Sequence, residues 1–330
     1  MSTSHAPAAP DGAPAPSLAH TVARDELPDV DPAEVAPIRA RRKVAKFRAF
    51  LPLELFALQA RTQQAPTLPP KSVADRSRVL RTEEDGVPVT WIDRPRAGQG
   101  TIIALHGGAY IHGESPNTWR WLEEVARRSG VAAAMVHYRM PPTHPFPYAV
   151  DDALDAIRQI LASAAVRDGR WVLAGESAGA GLVLSVLAAM HARHEEMPSG
   201  VVLTSPWVDL TLKDPMLAAQ AQKDPAQLPE LLERAARMYA GQFRRDDPRL
   251  SPLLGDLHGL PPVHLVTGDQ DLLLGDSRRL RTGLEEAGVE LTYLEQPGGV
   301  HLYPFDTQGP AAQFAMREQI AFTRRSLGLD

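Results

Sequence analysis

The pentapeptide Gly175-Glu176-Ser177-Ala178-Gly179 is wedged between a short apolar run, Trp171–Ala174, and a longer one, Gly179 to Met190. The first has the length of a buried strand, the second that of a buried helix. A serine on so sharp a strand-to-helix turn has a strained backbone and a hydroxyl lifted clear of it. The flanking glycines lack the Cβ that would keep strand and helix apart. A G-x-S-x-G match also arises by chance, so its context has to carry the reading. That context is supplied by the rest of the chain. Strand candidates fall at Val87–Ile92, Thr101–Leu105, Val131–Tyr138, Trp171–Ala174, Val201–Thr204, Pro262–Thr267 and Val289–Leu294. Helical spacing marks Pro147–Ile160, 276–287, which ends at Gly288, and 310–327. Short, β-branched, continuously apolar strands alternating with helices predict a mainly parallel sheet covered on both faces. No internal repeat is visible.

In such a sheet the carboxyl ends of the strands share one edge, and ligands bind there. His106-Gly107-Gly108-Ala109-Tyr110 follows Thr101–Leu105. Its glycines let backbone N–H groups face a substrate oxygen, so Gly107, Gly108 and Ala109, with the N–H of Ala178, are expected to surround an oxyanion. A hydroxyl nucleophile needs a base, and the base needs a carboxylate to orient it. Of eleven histidines, His301 alone sits in a loop that follows a late strand, after Gln296-Pro297-Gly298-Gly299-Val300. His5 and His20 lie in the tail, and His191 and His194 at the far end of the helix after the serine. His106 belongs to the glycine turn, where it should make an orienting hydrogen bond. His112, His137, His144, His258 and His264 lack a matching context. After Pro262–Thr267, Asp269 and Asp271 both fit the acid by position, while Asp276 reads as the N-cap of the next helix. The chain order serine, aspartate, histidine is the one expected of an α/β-hydrolase.

The two ends differ in character. Seven of the 30 prolines lie within residues 1–37, and residues 1–20 have one large aliphatic side chain, Leu18. Residues 1–30 therefore read as a disordered Pro/Ala-rich tail. It has no basic start and no apolar run of a signal peptide, so a cytoplasmic location is expected. Residues 31–70 read as N-terminal cap helices with a basic run (Arg39, Arg41, Arg42, Lys43, Lys46, Arg48) followed by Phe47, Phe50, Leu51, Leu53, Leu55, Phe56 and Leu58. Residues 71–330 form the catalytic domain, interrupted by a cap-like insertion over 208–250. There Leu228, Leu231, Leu232, Ala235, Met238 and Tyr239 mark a one-sided helix. Cys is absent, which excludes disulfides, thiolate metal sites and a cysteine nucleophile. A net charge of −5 gives no general attraction to nucleic acid, and no stretch of ~18 apolar residues predicts membrane insertion.

With these motifs in place, residues 75–325 resemble the hormone-sensitive-lipase family of α/β-hydrolase esterases. The resemblance also draws on Tyr138-Arg139-Met140-Pro141-Pro142-Thr143-His144-Pro145-Phe146-Pro147, Ser205-Pro206-Trp207-Val208-Asp209-Leu210 and Asp271-x-Leu273-x-x-Asp276. It implies an α/β-hydrolase fold with a helical cap, and a serine carboxylesterase that hydrolyses short- to medium-chain acyl esters through an acyl-enzyme. It implies no cofactor and no metal. Ser177, Asp271 and His301 then become the catalytic set, because the family acid lands on Asp271. Tyr110, Trp207, Met238, Tyr239, Phe243 and Tyr303 are candidates to line the pocket. Here Ala109 and Ala180 stand where the family usually has Gly, and Glu176 where it more often has Asp. A lactone or amide hydrolase, or an acyltransferase, would use the same residues. A non-catalytic binding protein would be expected to have lost His301. A dinucleotide site fails because Leu184 breaks G-x-G-x-x-G. The partner expected is a small-molecule ester, and an edge strand could pair two copies into a homodimer.

Overall fold

The computed structural model describes residues 19–329, apart from 164, 165, 167, 168 and 226. Nine strands build one sheet: β1 Ala19–Thr21, β2 Val79–Glu84, β3 Val87–Ile92, β4 Thr101–Leu105, β5 Ala132–Val136, β6 Trp171–Glu176, β7 Gly200–Thr204, β8 Val263–Gly268 and β9 Leu291–Gln296. Their order is β1-β9-β8-β7-β6-β4-β5-β3-β2. Antiparallel pairing is confined to β2 with β3 and β3 with β5, and every other pair is parallel.

Around the sheet lie α1 Pro32–Ala49, α2 Leu53–Thr62, α3 Lys71–Ala74, α4 Pro116–Ser129, α5 Tyr148–Ala162, α6 Ala178–Ala192, α7 Leu217–Lys223, α8 Pro229–Ala240, α9 Leu274–Glu286, α10 Tyr303–Asp306 and α11 Pro310–Ser326. The two faces are visible within β4. Ile103 and Leu105 enter the cluster that holds Leu154 of α5 and Leu182 of α6, while Ile102 and Ala104 enter the one that holds Leu122 of α4 and Phe322 of α11. Successive side chains of a strand point to opposite faces. Burial on both is why β4 to β8 read as mainly apolar runs, and all their residues are buried.

Three details differ from the sequence reading. Residues 1–18 of the expected tail lie outside the described residues. Residues 19–21 are a strand on β9, with Ala19 opposite Leu291, and Val22 donates its N–H to Tyr293 O at 3.0 Å. A parallel edge strand is held by main-chain bonds that composition does not reveal. Asp276 is not an N-cap: α9 begins at Leu274, and the Asp276 carboxylate takes the N–H groups of Val208 and Asp209, both at 3.0 Å. Strand β2 carries mostly polar, solvent-facing residues and left no apolar trace.

The two cap pieces dock on each other. Phe56 of α2 is buried beneath the Arg234 guanidinium of α8, 4.4 Å above the ring, and Arg234 also donates to Ala49 O at the end of α1 at 2.8 Å.

Candidate active site

Parallel neighbours β9, β8, β7, β6 and β4 bring their carboxyl ends to one edge. Ser177 caps β6 there with φ 53° and ψ −120°. A backbone so far from the usual basins costs ~1–3 kcal/mol and persists only when its surroundings enforce it. They do so here. Ser177 donates its N–H to Thr204 O at 2.9 Å, and its own carbonyl takes the Trp207 N–H at 3.0 Å. A Cβ at Gly175 would stand 2.6 Å from Gly179 O, and one at Gly179 would stand 2.0 Å from Leu105 O. No side chain fits at either position, so both glycines are obligatory.

His301 Nε2 lies 3.1 Å from Ser177 Oγ, and His301 Nδ1 lies 2.9 Å from Asp271 Oδ1 and 3.0 Å from Oδ2. All three residues are buried. Geometry separates the two acid candidates. Asp269 accepts the Gly298 N–H at 2.8 Å and so holds the histidine loop by its main chain, while Asp271 reaches the ring. Glycine again permits the approach: a Cβ at Gly268 would fall 2.1 Å from Gly299 O. The acid loop is braced by the cap. Gln220 of α7 donates to Asp269 O and Asp271 O, each at 3.0 Å, and Asp224 Oδ2 takes the Leu272 N–H at 2.8 Å. Burial pushes the His301 imidazolium down. The charge and hydrogen bond of Asp271, with Asp224 and Glu176 further out, outweigh it and hold the pKa at about 9.

The glycine turn leans on the elbow. Gly107 donates its N–H to Glu176 Oε1, which leaves Gly108, Ala109 and Ala178 as the donors the sequence reading favours. Gly108, Ala109 and Tyr110 have φ of 95°, 55° and 61°. Among the described residues, the N–H groups of Gly108, Ala109 and Ala178 meet no acceptor. That of Ala178 is free because the first N–H groups of a helix have no partner within it. The turn is fixed from below by His106, whose ring stacks on Tyr138 at 4.3 Å and bonds Gly107 O through Nδ1 at 2.8 Å. His112 contributes as well: its Nδ1 bonds Gly108 O at 3.1 Å. Beneath them Glu114 pairs with His137 and takes the Thr67 N–H at 3.0 Å, tying the turn's foundations to the N-terminal segment. Burial raises the Glu114 carboxyl, but His106, His137 and Thr67 outweigh it and hold it well below the ordinary carboxylate range.

The six pocket candidates divide. Tyr110 and Tyr239 stack at 3.7 Å, with Trp207 tilted against Tyr110 at 6.1 Å, beside the elbow. Met238 and Phe243 are half-buried against the same core, and Phe243 also borders a surface cavity of about 360 Å³ with Thr211, Arg237 and Arg244. Tyr303 packs instead in a separate cluster with Val266, Leu294 and Val300. A side chain's direction next to a loop is not readable from spacing. The roles of Glu176, His112, Gln220 and Asp224 were missed. For Glu176 alone there was a signal, since a carboxylate at the end of a buried strand must find donors.

The arrangement offers a hydroxyl, an imidazole able to take its proton, a carboxylate that fixes the ring, and three N–H groups free for an anion. A family model described as alpha/beta hydrolase fold matches residues 102–305. An acetyl-hydrolase of Streptomyces hygroscopicus is 34% identical over 240 residues, 72% of this chain and 80% of that protein. The carboxylesterase NlhH of Mycobacterium tuberculosis is 30% identical over 332 residues, 93% of this chain and 98% of that protein. A crystal structure of an esterase from the bacterial hormone-sensitive lipase family superposes with a TM-score of 0.77 at 29% identity, covering 91% of this chain and all of that one. The chain belongs to the α/β-hydrolase fold family, among the esterases of its hormone-sensitive-lipase branch.

Proposed function

We propose that this esterase hydrolyses short- to medium-chain acyl esters of small molecules through a covalent acyl-enzyme on Ser177. Ser177 Oγ attacks the ester carbonyl carbon as His301 Nε2 takes its proton. Asp271 holds the ring tautomer and stabilises the imidazolium. The carbonyl oxygen becomes an anion and accepts the N–H groups of Gly108, Ala109 and Ala178. Each such donor is worth about 3–4 kcal/mol to the transition state. Collapse breaks the ester bond, and the departing alcohol takes the proton from His301. Water then gives its proton to His301 and attacks the acyl carbon. Collapse of that second tetrahedral intermediate returns the proton to Ser177 and releases the acid. Nucleophile, base and acid all come from the chain, so the cycle needs no cofactor.

The reading is carried by the relay Asp271–His301–Ser177, with contacts of 2.9 Å and 3.1 Å converging on a strained elbow. Ser177→Ala tests it. Removing a triad member lowers kcat by ~10⁴–10⁶, and the fold should be unchanged because Ser177 holds its turn through main-chain bonds. Ester hydrolysis that survives in the purified variant would overturn the mechanism.

A further inference from the structure

Nine large apolar side chains stand exposed among the described residues, and six of them fall between positions 47 and 68. Phe47 is 70% exposed, Phe50 77%, Leu53 64%, Leu55 50%, Leu58 57% and Leu68 70%. They are not needed to seat the cap. The face of α2 that docks on α8 is a different one, with Phe56 and Ala60 each only 2% exposed. These exposed side chains keep apolar surface in water at a cost that burial would recover.

Charge identifies what would cover it. Residues 35–53 hold six Lys and Arg and no Asp or Glu, so this stretch is +6 in a chain whose net charge is −5. The rest of the chain is accordingly acidic, and along the sequence the basic residues precede and flank Phe47 and Phe50. A second copy of this chain would bring +6 against +6. A surface with phosphate at its boundary and hydrocarbon beneath meets both features at once.

We propose that the outer face of α1 and α2 docks on an anionic lipid surface, with Phe47, Phe50 and Leu53 entering the boundary between headgroups and acyl chains. No helix among the described residues is long and apolar enough to cross a membrane, so the contact is peripheral. The segment after α2 reaches the glycine turn. The chain runs on from α2 to Gln63, whose carbonyl takes the Gly113 N–H at 3.0 Å, and to Thr67 on Glu114, just beyond the glycine turn. Docking would set the cap against the phase in which apolar esters concentrate.

Vesicle co-sedimentation of the full chain tests this without reference to catalysis. Binding to phosphatidylcholine vesicles with about a third phosphatidylglycerol should be at least ~10-fold tighter than to phosphatidylcholine alone, and should weaken in high salt. Phe47→Ser with Phe50→Ser should abolish it, and Lys43→Glu with Lys46→Glu should remove the preference for the anionic lipid. Hydrolysis of a water-soluble p-nitrophenyl ester should be unchanged in both variants, which also reports their folding. Equal binding to both vesicles, or none to either, would overturn the proposal. So would a dimer in sedimentation equilibrium that the Phe47→Ser, Phe50→Ser variant dissolves, since a second copy would then be the occupant.

Discussion

Gly107 donates its backbone N–H to Glu176 Oε1 at 2.8 Å, which pins the glycine turn to the residue directly before the serine. The same oxygen takes the Thr118 hydroxyl at 3.1 Å, and Oε2 has no partner among the described residues. Burial pushes this carboxyl up to about 7, against the pull of Gly107 and His301.

On the proposed mechanism Glu176 positions the turn that donates to the anion, and its substitution should act on turnover. Glu176→Ala removes the acceptor and leaves a buried N–H unmade, a loss of about 1–3 kcal/mol. We expect kcat on a soluble ester to fall ~10–100-fold with little change in KM, since the brace matters most when the oxyanion forms. Glu176→Gln keeps an acceptor oxygen and should recover most of that loss. Steady-state kinetics of the two variants decide it: an alanine variant as fast as wild type would show the turn stands unaided.

Ala109 is the second departure in the turn. Its φ of 55° lies where a Cβ is strained, so the negative φ under which an alanine would sit comfortably is not what the fold imposes. Ala109→Gly relieves strain of ~1–2 kcal/mol and gives back part of it as unfolded-chain entropy. Thermal unfolding should show the variant no less stable than wild type. On the proposed mechanism Ala109 donates to the anion, so removing its methyl should widen that side of the site and broaden acceptance of bulky esters. An unchanged profile across a series of acyl and alcohol sizes would retire that view.

The site strands are legible in the sequence because β4, β6 and β8 are buried on both faces, which leaves mostly apolar runs and glycine-containing exits. Ser177 and His301 stand at the exits of β6 and β9, where pattern leads to them; pattern left Asp269 and Asp271 level at the exit of β8, and it took the family resemblance to choose between them. What escapes reading is held by groups that patterns do not mark. β2 pairs through its main chain, and half of its residues are exposed. Asp276 has the residue type of an N-cap but serves as acceptor for Val208 and Asp209, because the buried Leu272–Leu274 starts the helix earlier. Gln220 and Asp224 reach the acid loop from the insertion, across some 50 residues of chain, by side-chain bonds that no local period encodes.

The base must be neutral to accept the serine proton, so the high pKa of His301 has a kinetic signature. With the imidazolium stabilised to about 9, kcat/KM should climb with pH and level off only in the alkaline range. Asp271→Asn removes the strongest upward influence on the ring, so it should lower the rate and move the limb to lower pH. Asp224 and Glu176 face the same ring and should leave part of the shift in place. A limb at the ordinary histidine value in the wild-type enzyme would mean that the carboxylates do not hold the imidazolium as the geometry implies.

His264 gives a pH dependence of stability that is independent of the site. It lies fully buried on β8, neither ring nitrogen has a hydrogen-bond partner among the described residues, and its neighbours are the Phe322 ring at 5.5 Å and the nearby Arg325 charge. Burial, aided by Arg325, holds its pKa down at about 3 against 6.5 in an unfolded chain. Between those values the unfolded state binds a proton that the folded state does not, so stability falls as pH drops through that window. At pH 5 the deficit from this one group is about 2 kcal/mol. His264→Leu, of similar volume and with nothing to protonate, should lose correspondingly less stability than wild type between pH 8 and pH 5 in denaturant titrations. At pH 8, where both forms are neutral, the two should differ little, since leucine replaces a ring whose nitrogens make no bonds. Parallel pH slopes for the two proteins would show that another buried group, not this imidazole, sets the acid sensitivity of the fold.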